Sequence, residues 1–173
     1  NTMDKETDAR IYQDIGSRSL INGRHDQAKL NFKRFAKLNS HQNNNSSNAY
    51  CHWGWTLYHQ RKFPQAIRKY KIAVQCQDKF TLARVYERWG LCLLKMREFD
   101  EAIEKFNKML ENSPLSRAVD MNIVLALMLK GDEEKALKVL DNRKTKKNIL
   151  IEIDDLIQEY EEGVLWLEMK LED

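Results

Sequence analysis

Histidine and cysteine side chains are the groups in this chain that could hold a metal ion or act as nucleophiles. They are His25, His41, His52, His59, Cys51, Cys76 and Cys92. A structural zinc site combines four such ligands at short, characteristic spacings, and no such spacing occurs here. His52 and His59 are seven residues apart, and no Cys or carboxylate three or four positions from either completes a site. The sequence therefore predicts no metal site, and the cysteines are interpreted as small buried hydrophobic residues.

Adjacent acidic residues are the other groups with catalytic potential. Asp154-Asp155 and Glu161-Glu162 are sequence neighbours, and neighbouring side chains on a helix diverge by about 100°, so neither pair forms a catalytic dyad by itself. The chain also lacks a phosphate-binding loop, a nucleophile elbow and a dinucleotide-binding fingerprint. We therefore expect a non-catalytic protein with no cofactor and no small-molecule substrate.

The composition indicates an all-α protein. The 173 residues include only six Gly and two Pro, too few for the frequent turns of a β-sandwich or barrel. No run approaches the roughly 18 to 20 apolar residues of a membrane helix, and the N-terminus has no apolar segment typical of a secretory signal. The expected location is the cytoplasm, without membrane insertion.

Two segments repeat the same spacing of small and aromatic residues. In each, Trp follows an aromatic residue by three positions, Gly comes next, Ala stands twelve positions past the Gly, and an aromatic residue follows four positions later. These residues are Tyr50, Trp53, Gly54, Ala66 and Tyr70, and then Tyr86, Trp89, Gly90, Ala102 and Phe106. Weaker copies centre on Ala28 and Ala136, and the four alanines are 38, 36 and 34 residues apart. This period predicts stacked helix–turn–helix units.

Small residues allow the two helices of each unit to cross closely, and Gly16, Gly54 and Gly90 are expected to face Ala28, Ala66 and Ala102 there. Within the turns, Gly23 and Gly131 can take a positive φ at little cost. The other two turns have arginine at this position, Arg61 and Arg97, so they need either another conformation or some strain.

The pattern resembles the tetratricopeptide repeat (TPR) family, whose signature is W-x2-L-G-x2-Y, then A-x3-F, then P, over 34 residues. The resemblance implies a right-handed α-α superhelix that acts as a protein-interaction scaffold or adaptor. The predicted organisation is a tail at 1–8, repeats at 9–40, 48–80, 81–114 and 115–142, a polar loop at 41–47, and a capping helix at 148–173.

The C-terminal segment 148–173 contains nine acidic residues and one basic residue, whereas residues 1–80 have a net charge of +8. Apolar residues recur at helical spacing along it, as expected of a helix that caps the last repeat. A second apolar strip, formed by Leu165, Trp166 and Met169, could pair two copies of the chain as a homodimer.

In the TPR family the first helix of each repeat lines a concave groove, which the resemblance makes the expected peptide-binding site. The residues assigned to this groove are His52, Trp55, Tyr58, Arg84, Arg88, Leu91, Leu94, Leu125 and Met128. Two interpretations stay open: a partner peptide occupies the groove, or the acidic C-terminal helix folds back and covers it.

Three other functions were weighed against a general interaction scaffold. A small secretion or assembly chaperone would hold a client peptide in the same groove. A clamp for the C-terminal carboxylate of heat-shock chaperones is disfavoured, because only Arg84 and Arg88 match the basic and amide residues that such relatives use. RNA binding is also disfavoured, because most aromatic residues stand at packing positions rather than on an exposed face.

Overall fold

The computed structural model describes residues 2–38, 44–76, 79–113, 117–141 and 157–158. Regular structure in these ranges is helical and divides into two compact units, residues 1–114 and 115–173. The helices are α1 (Thr2–Ile21), α2 (His25–Leu38), α3 (Asn44–His59), α4 (Phe63–Ala73), α5 (Lys79–Lys95), α6 (Phe99–Asn112), α7 (Arg117–Lys130) and α8 (Glu133–Asp141), with a 3₁₀ turn at Val74–Cys76. None of these helices is long and apolar enough to cross a bilayer.

Consecutive helices form antiparallel pairs, which confirms the predicted all-α fold class. In the first unit α1 packs on α2, α3 on α4 and α5 on α6, and in the second α7 packs on α8. Neighbouring pairs of the first unit contact through α2–α3 and α4–α5, and also through α1–α3 and α3–α5. The first helices of successive pairs therefore lie side by side, so residues on α3 and α5 can form one surface.

The turn inside each pair has the same hydrogen bonds in all four places. One residue at positive φ donates its N–H to the carbonyl three positions back, and the next residue donates to the carbonyl five positions back, at 2.8 to 3.1 Å. This is the Schellman motif that ends many helices. The residues at positive φ are Gly23, Arg61, Arg97 and Gly131. The two arginine turns therefore keep the conformation of the glycine turns and carry backbone strain.

The second helix starts directly after each Schellman motif. Its alanine donates an N–H to the carbonyl four residues earlier, at 2.9 to 3.1 Å, and closes the first helical turn. These alanines, Ala28, Ala66, Ala102 and Ala136, have no exposed surface. A larger side chain at these positions would have to displace neighbouring core residues.

Each first-helix glycine lies against an aromatic ring of the second helix. A Cβ at Gly16 would come within 2.8 Å of the Phe32 ring, and a Cβ at Gly54 would run into the ring of Tyr70. Gly90 stands in the same relation to Phe106. The closest neighbour of each glycine is thus the aromatic residue four positions past the alanine.

Two predicted boundaries differ from the structure. The tail expected at 1–8 is helical from Thr2, and the loop expected at 41–47 is helical from Asn44. Ser46 and Ser47 are buried, and the Ser47 hydroxyl donates to the carbonyl oxygen of Ala73 at 2.9 Å. Their polar composition reflects a capping contact between α3 and the end of α4 rather than a solvated loop.

Several predictions fall outside the described residues. They concern the capping helix at 148–173, apart from its residues 157 and 158, and the homodimer strip. That strip consists of Leu165, Trp166 and Met169. Cys51 and Cys92 are buried free thiols, as expected for small core residues.

Replacing Arg97 by glycine is expected to stabilise the first unit by about 0.5–1 kcal/mol. A residue with a Cβ pays about 1–2 kcal/mol at positive φ, and the greater freedom of glycine in the unfolded chain offsets part of this gain. Urea unfolding followed by circular dichroism measures the difference. Arg97→Ala is the matched control, because it removes the guanidinium but keeps the Cβ, and an equal gain in both variants would contradict the strain argument.

Candidate functional site

The residues assigned to the groove come from both units. His52, Trp55 and Tyr58 lie on α3, and four more lie on α5: Arg84, Arg88, Leu91 and Leu94. Because α3 contacts α5, these two helices can present their residues together. Leu125 and Met128 lie on α7 of the second unit.

Burial separates these residues into two groups. Leu94 and Leu125 are only 2% and 7% exposed, so they are buried here, unlike the other residues assigned to the groove. Leu91 and Met128 are half-buried, and Arg84 is exposed. The surface left on the first unit, called here the α3–α5 surface, consists of His52, Trp55, Tyr58, Arg84, Arg88 and Leu91.

An aromatic cluster occupies the α3 side of this surface. The rings of Trp55 and Tyr58 are stacked, with centroids 4.6 Å apart and planes 8° apart. His59 packs edge-on against Trp55 at 4.6 Å, and Tyr58 also contacts Phe63 of α4 at 5.5 Å. Each ring is therefore braced by another ring. Pre-ordered aromatic side chains of this kind lose little conformational entropy when a ligand binds.

Arg88 connects α5 to this cluster. Its guanidinium carbon lies 4.7 Å from the centroid of the Trp55 ring, within the range of a cation–π contact. Its Nη1 donates to the buried Sγ of Cys51 at 3.4 Å. A guanidinium has five N–H donors in a planar fork. Arg88 is thus held in place by α3, and guanidinium N–H groups that these contacts leave over are of the kind that pairs with a carboxylate.

His52 is the most perturbed titratable group of the surface. Its imidazole stacks on Phe32 of α2, with centroids 5.1 Å apart and planes 17° apart. Burial, and then the positive charges of Arg88 and Arg84, lower its pKa to about 4. His52 is therefore neutral at physiological pH and acts there as a packing and hydrogen-bonding group rather than as a cation.

Glu87 lies between the two arginines in sequence, and its pKa shifts in the opposite direction to that of His52. Burial raises its pKa, and Arg88 and Arg84 lower it to a smaller extent. Two arginines outnumber this single acid, so the surface keeps positive charge even when Glu87 is ionised. The net character of the surface is aromatic with positive charge, which suits a ligand that offers apolar side chains next to a carboxylate.

Two contacts at this site were not predicted from the sequence. His25 at the start of α2 stacks on His59 with ring centroids 5.7 Å apart, and Phe32 supports His52 as described above. Both join the second helix of one pair to the first helix of the next. The sequence marks Phe32 only as an aromatic residue at a packing position. The spacing within a repeat does not show which residues contact each other between repeats.

Among the residues that the structure describes, no group of three His, Cys, Asp or Glu side chains is placed so that it could bind a metal ion. The thiols of Cys51 and Cys92 are unsuited to nucleophilic chemistry, since burial raises the pKa of both, that of Cys92 to about 12.

These features define a class of fold, a repeat of helical pairs whose first helices lie side by side in the first unit. The family model described as tetratricopeptide repeat matches residues 83–116, which include most of α5 and all of α6. One repeat of this chain thus matches the tetratricopeptide repeat model, and the helical pairs have the fold of solved TPR structures. A sequence comparison with curated proteins finds no significant match.

Solved structures with a similar fold come from several TPR proteins. MamA is 24% identical, with a TM-score of 0.67 over 88% of this chain and 81% of its own. YrrB, described as a TPR protein with an unusual peptide-binding site, is 19% identical, with a TM-score of 0.66 over 85% and 74%. The first TPR of Spaghetti (RPAP3), bound to the HSP90 peptide SRMEEVD, is 16% identical, with a TM-score of 0.58 over 78% and 94%. At these identities the likeness is one of fold.

Proposed function

We propose that this protein is a non-catalytic interaction scaffold that binds a peptide segment of a partner protein on the α3–α5 surface. The observation that carries the proposal is the Trp55–Tyr58 stack with the Arg88 guanidinium 4.7 Å from the Trp55 ring. Aromatic and arginine side chains dominate binding energy at protein interfaces. The fold supports the same function, because two similar structures are described as binding a peptide.

The chemistry of the surface indicates what the peptide contains. Trp55 and Tyr58 offer apolar contact area, and Arg84 and Arg88 offer positive charge. An apolar side chain of the peptide would pack on the aromatic rings, and a nearby acidic side chain would pair with Arg88. A client-holding assembly chaperone would use the same contacts, so this second function differs only in the fate of the bound segment.

Changing Trp55 to Ala and Arg88 to Glu together is expected to weaken partner binding by about 30-fold or more, because the change removes two hot-spot residues and repels an acidic ligand. Affinity purification followed by quantitative mass spectrometry identifies partners of the original chain. Titration calorimetry with the recovered partner then measures both affinities. Far-UV circular dichroism confirms that the variant keeps its helical content.

A matched control makes the same kinds of change elsewhere. Ile21→Ala with Lys37→Glu removes an apolar side chain that is 83% exposed and reverses one exposed positive charge on α2. This control is expected to bind like the original chain. Equal affinity of the Trp55/Arg88 variant and the original chain would contradict the proposed function.

A further inference from the structure

A second cavity lies on the other side of α3. Trp53 and Trp55 are two positions apart, so their side chains point about 200° apart around the helix. The Trp53 side has a cavity of about 360 Å³, and its lining residues are Lys29, Trp53, Leu57, Gln65, Arg68 and Lys69. This volume is within the range of binding pockets for small ligands. Its residues come from α2, α3 and α4, so it is separate from the α3–α5 surface.

Positive charge is concentrated in this cavity. The Lys69 Nζ stands 3.8 Å from the centroid of the Trp53 ring, and Lys29 and Arg68 complete the cationic lining. No carboxylate is among the described residues that line it. Asp26, which is not part of the lining, forms a salt bridge of 3.0 Å with Lys29. Burial, and then Arg68 and Lys33, lower the pKa of Lys69. A negatively charged ligand would relieve this repulsion.

The next repeat contains the same contact between a lysine and a tryptophan, but there an acidic residue neutralises the lysine. There Lys105 lies over Trp89 at 4.8 Å, as Lys69 lies over Trp53, and it pairs with Glu104 at 2.8 Å. Because Lys69 and Lys105 both stand three residues after the repeat alanine, the equivalent of Glu104 is Arg68. The equivalent of Glu101 is Gln65. Both acids of the later repeat are thus replaced by a cation or a neutral amide around Trp53.

The pKa of Glu104 shows how strongly neighbouring lysines stabilise a carboxylate in its charged form. The ammonium groups of Lys105 and Lys108 lower the pKa of Glu104 to about 2, so they strongly favour its charged form. Lys69 is the equivalent of Lys105, so an external carboxylate beside Lys69 would receive the corresponding hydrogen bond, and Arg68 and Lys29 would add positive charge. Trp53 and the buried Leu57 would provide an apolar floor for a neighbouring side chain.

We propose that this Trp53 cavity binds an acidic peptide segment in which Glu or Asp stands beside an aliphatic residue. The carboxylate pairs with Lys69, as Glu104 pairs with Lys105 in the next repeat, and with Arg68 beside it, and the aliphatic side chain packs against the apolar lining formed by Trp53 and Leu57. Charge complementarity with Lys29, Arg68 and Lys69 and the apolar lining together favour this occupant. The cavity gives the protein a second recognition site besides the α3–α5 surface.

The test uses the full chain labelled with ¹⁵N and a blocked pentapeptide, acetyl-Glu-Leu-Glu-Leu-Glu-amide. The indole N–H signal of Trp53, assigned with Trp53→Phe, is expected to shift saturably on titration. Arg68→Glu, which recreates the charge pattern of the later repeat without disturbing a buried residue, is expected to weaken binding at least tenfold. Lys37→Glu makes the same charge change outside the cavity and is expected to alter the affinity less than twofold. The peptide with Gln in place of each Glu is expected to cause no saturable shift.

Arg88→Glu separates this site from the α3–α5 surface, because a response of Trp53 that persists in this variant belongs to the cavity alone. Loss of the response in Arg88→Glu, or its survival in Arg68→Glu, would overturn the proposal. An equal shift with inorganic phosphate would show a general anion site, and tighter binding of a uridine pentanucleotide would show a nucleic-acid site. Either result would also overturn it.

Discussion

Valine in place of Gly54 is expected to lower the free energy of unfolding by about 3 kcal/mol. A single Cβ at this position already runs into the ring of Tyr70, which is fully buried and cannot move outward. Overpacking of this kind costs about 1–3 kcal/mol and occasionally more, and a β-branched side chain adds two methyl groups to the clash. Urea unfolding of the original chain and of Gly54→Val measures the loss.

Two further variants test whether the Tyr70 ring is the cause. Gly16→Ala should be tolerated better than Gly54→Ala, because the added Cβ is less crowded by Phe32 at 2.8 Å than by Tyr70. Tyr70→Leu removes the ring atoms closest to Gly54, so in that background Gly54→Ala should be neutral or stabilising through the better helix propensity of alanine, about 1 kcal/mol. Equal losses from Gly54→Ala with and without the Tyr70 ring would show that this contact is not responsible.

The glycine positions also show how far the sequence predicts the fold. Repeated spacing was sufficient to predict the helical pairs, because close crossings require glycine at one place and a small alanine at another. Spacing did not show that the glycine contacts Tyr70 rather than Ala66, since both lie on the same side of α4. Polar composition predicted a loop at Ser46 and Ser47 incorrectly, because a polar side chain can be buried when its hydrogen bond is satisfied, as that of Ser47 is.

Contacts between repeats could not be predicted from the sequence either, because the spacing within a repeat does not fix how neighbouring repeats pack. The first-helix pattern selected Trp55 and Arg88 as candidates for the groove, but not their cation–π contact, which depends on the register of α5 against α3. The same pattern selected Leu94, which the structure buries. The repeat spacing marks Trp53 only as a packing residue, so it does not predict the Trp53 cavity. The positive charge of the cavity could have been predicted, because Arg68 and Glu104 differ in charge at equivalent positions of two repeats.

Acidification is expected to destabilise the first unit through His52. The pKa of this imidazole is about 4 in the folded chain and about 6.5 when unfolded. Above pH 6.5 both states are neutral and the stability is complete. As the pH falls from 6.5 towards 4, the unfolded chain takes up the proton first, so folding loses free energy. The loss reaches about 2–3 kcal/mol near pH 4.5, at about 1.4 kcal/mol for each unit of pKa difference.

His52→Phe isolates this contribution, because it keeps an aromatic ring stacked on Phe32 but cannot be protonated. Other groups that titrate in this range are common to both proteins, so the difference between their urea unfolding free energies at pH 7.5 and 4.5 reports His52. We expect the variant to gain about 2–3 kcal/mol relative to the original chain over that interval, and an NMR titration of the His52 ring to give a midpoint near the folded pKa. Parallel stability curves would contradict the assignment. The groups that oppose the charged ring are Arg88 and Arg84, which are also the cations of the α3–α5 surface.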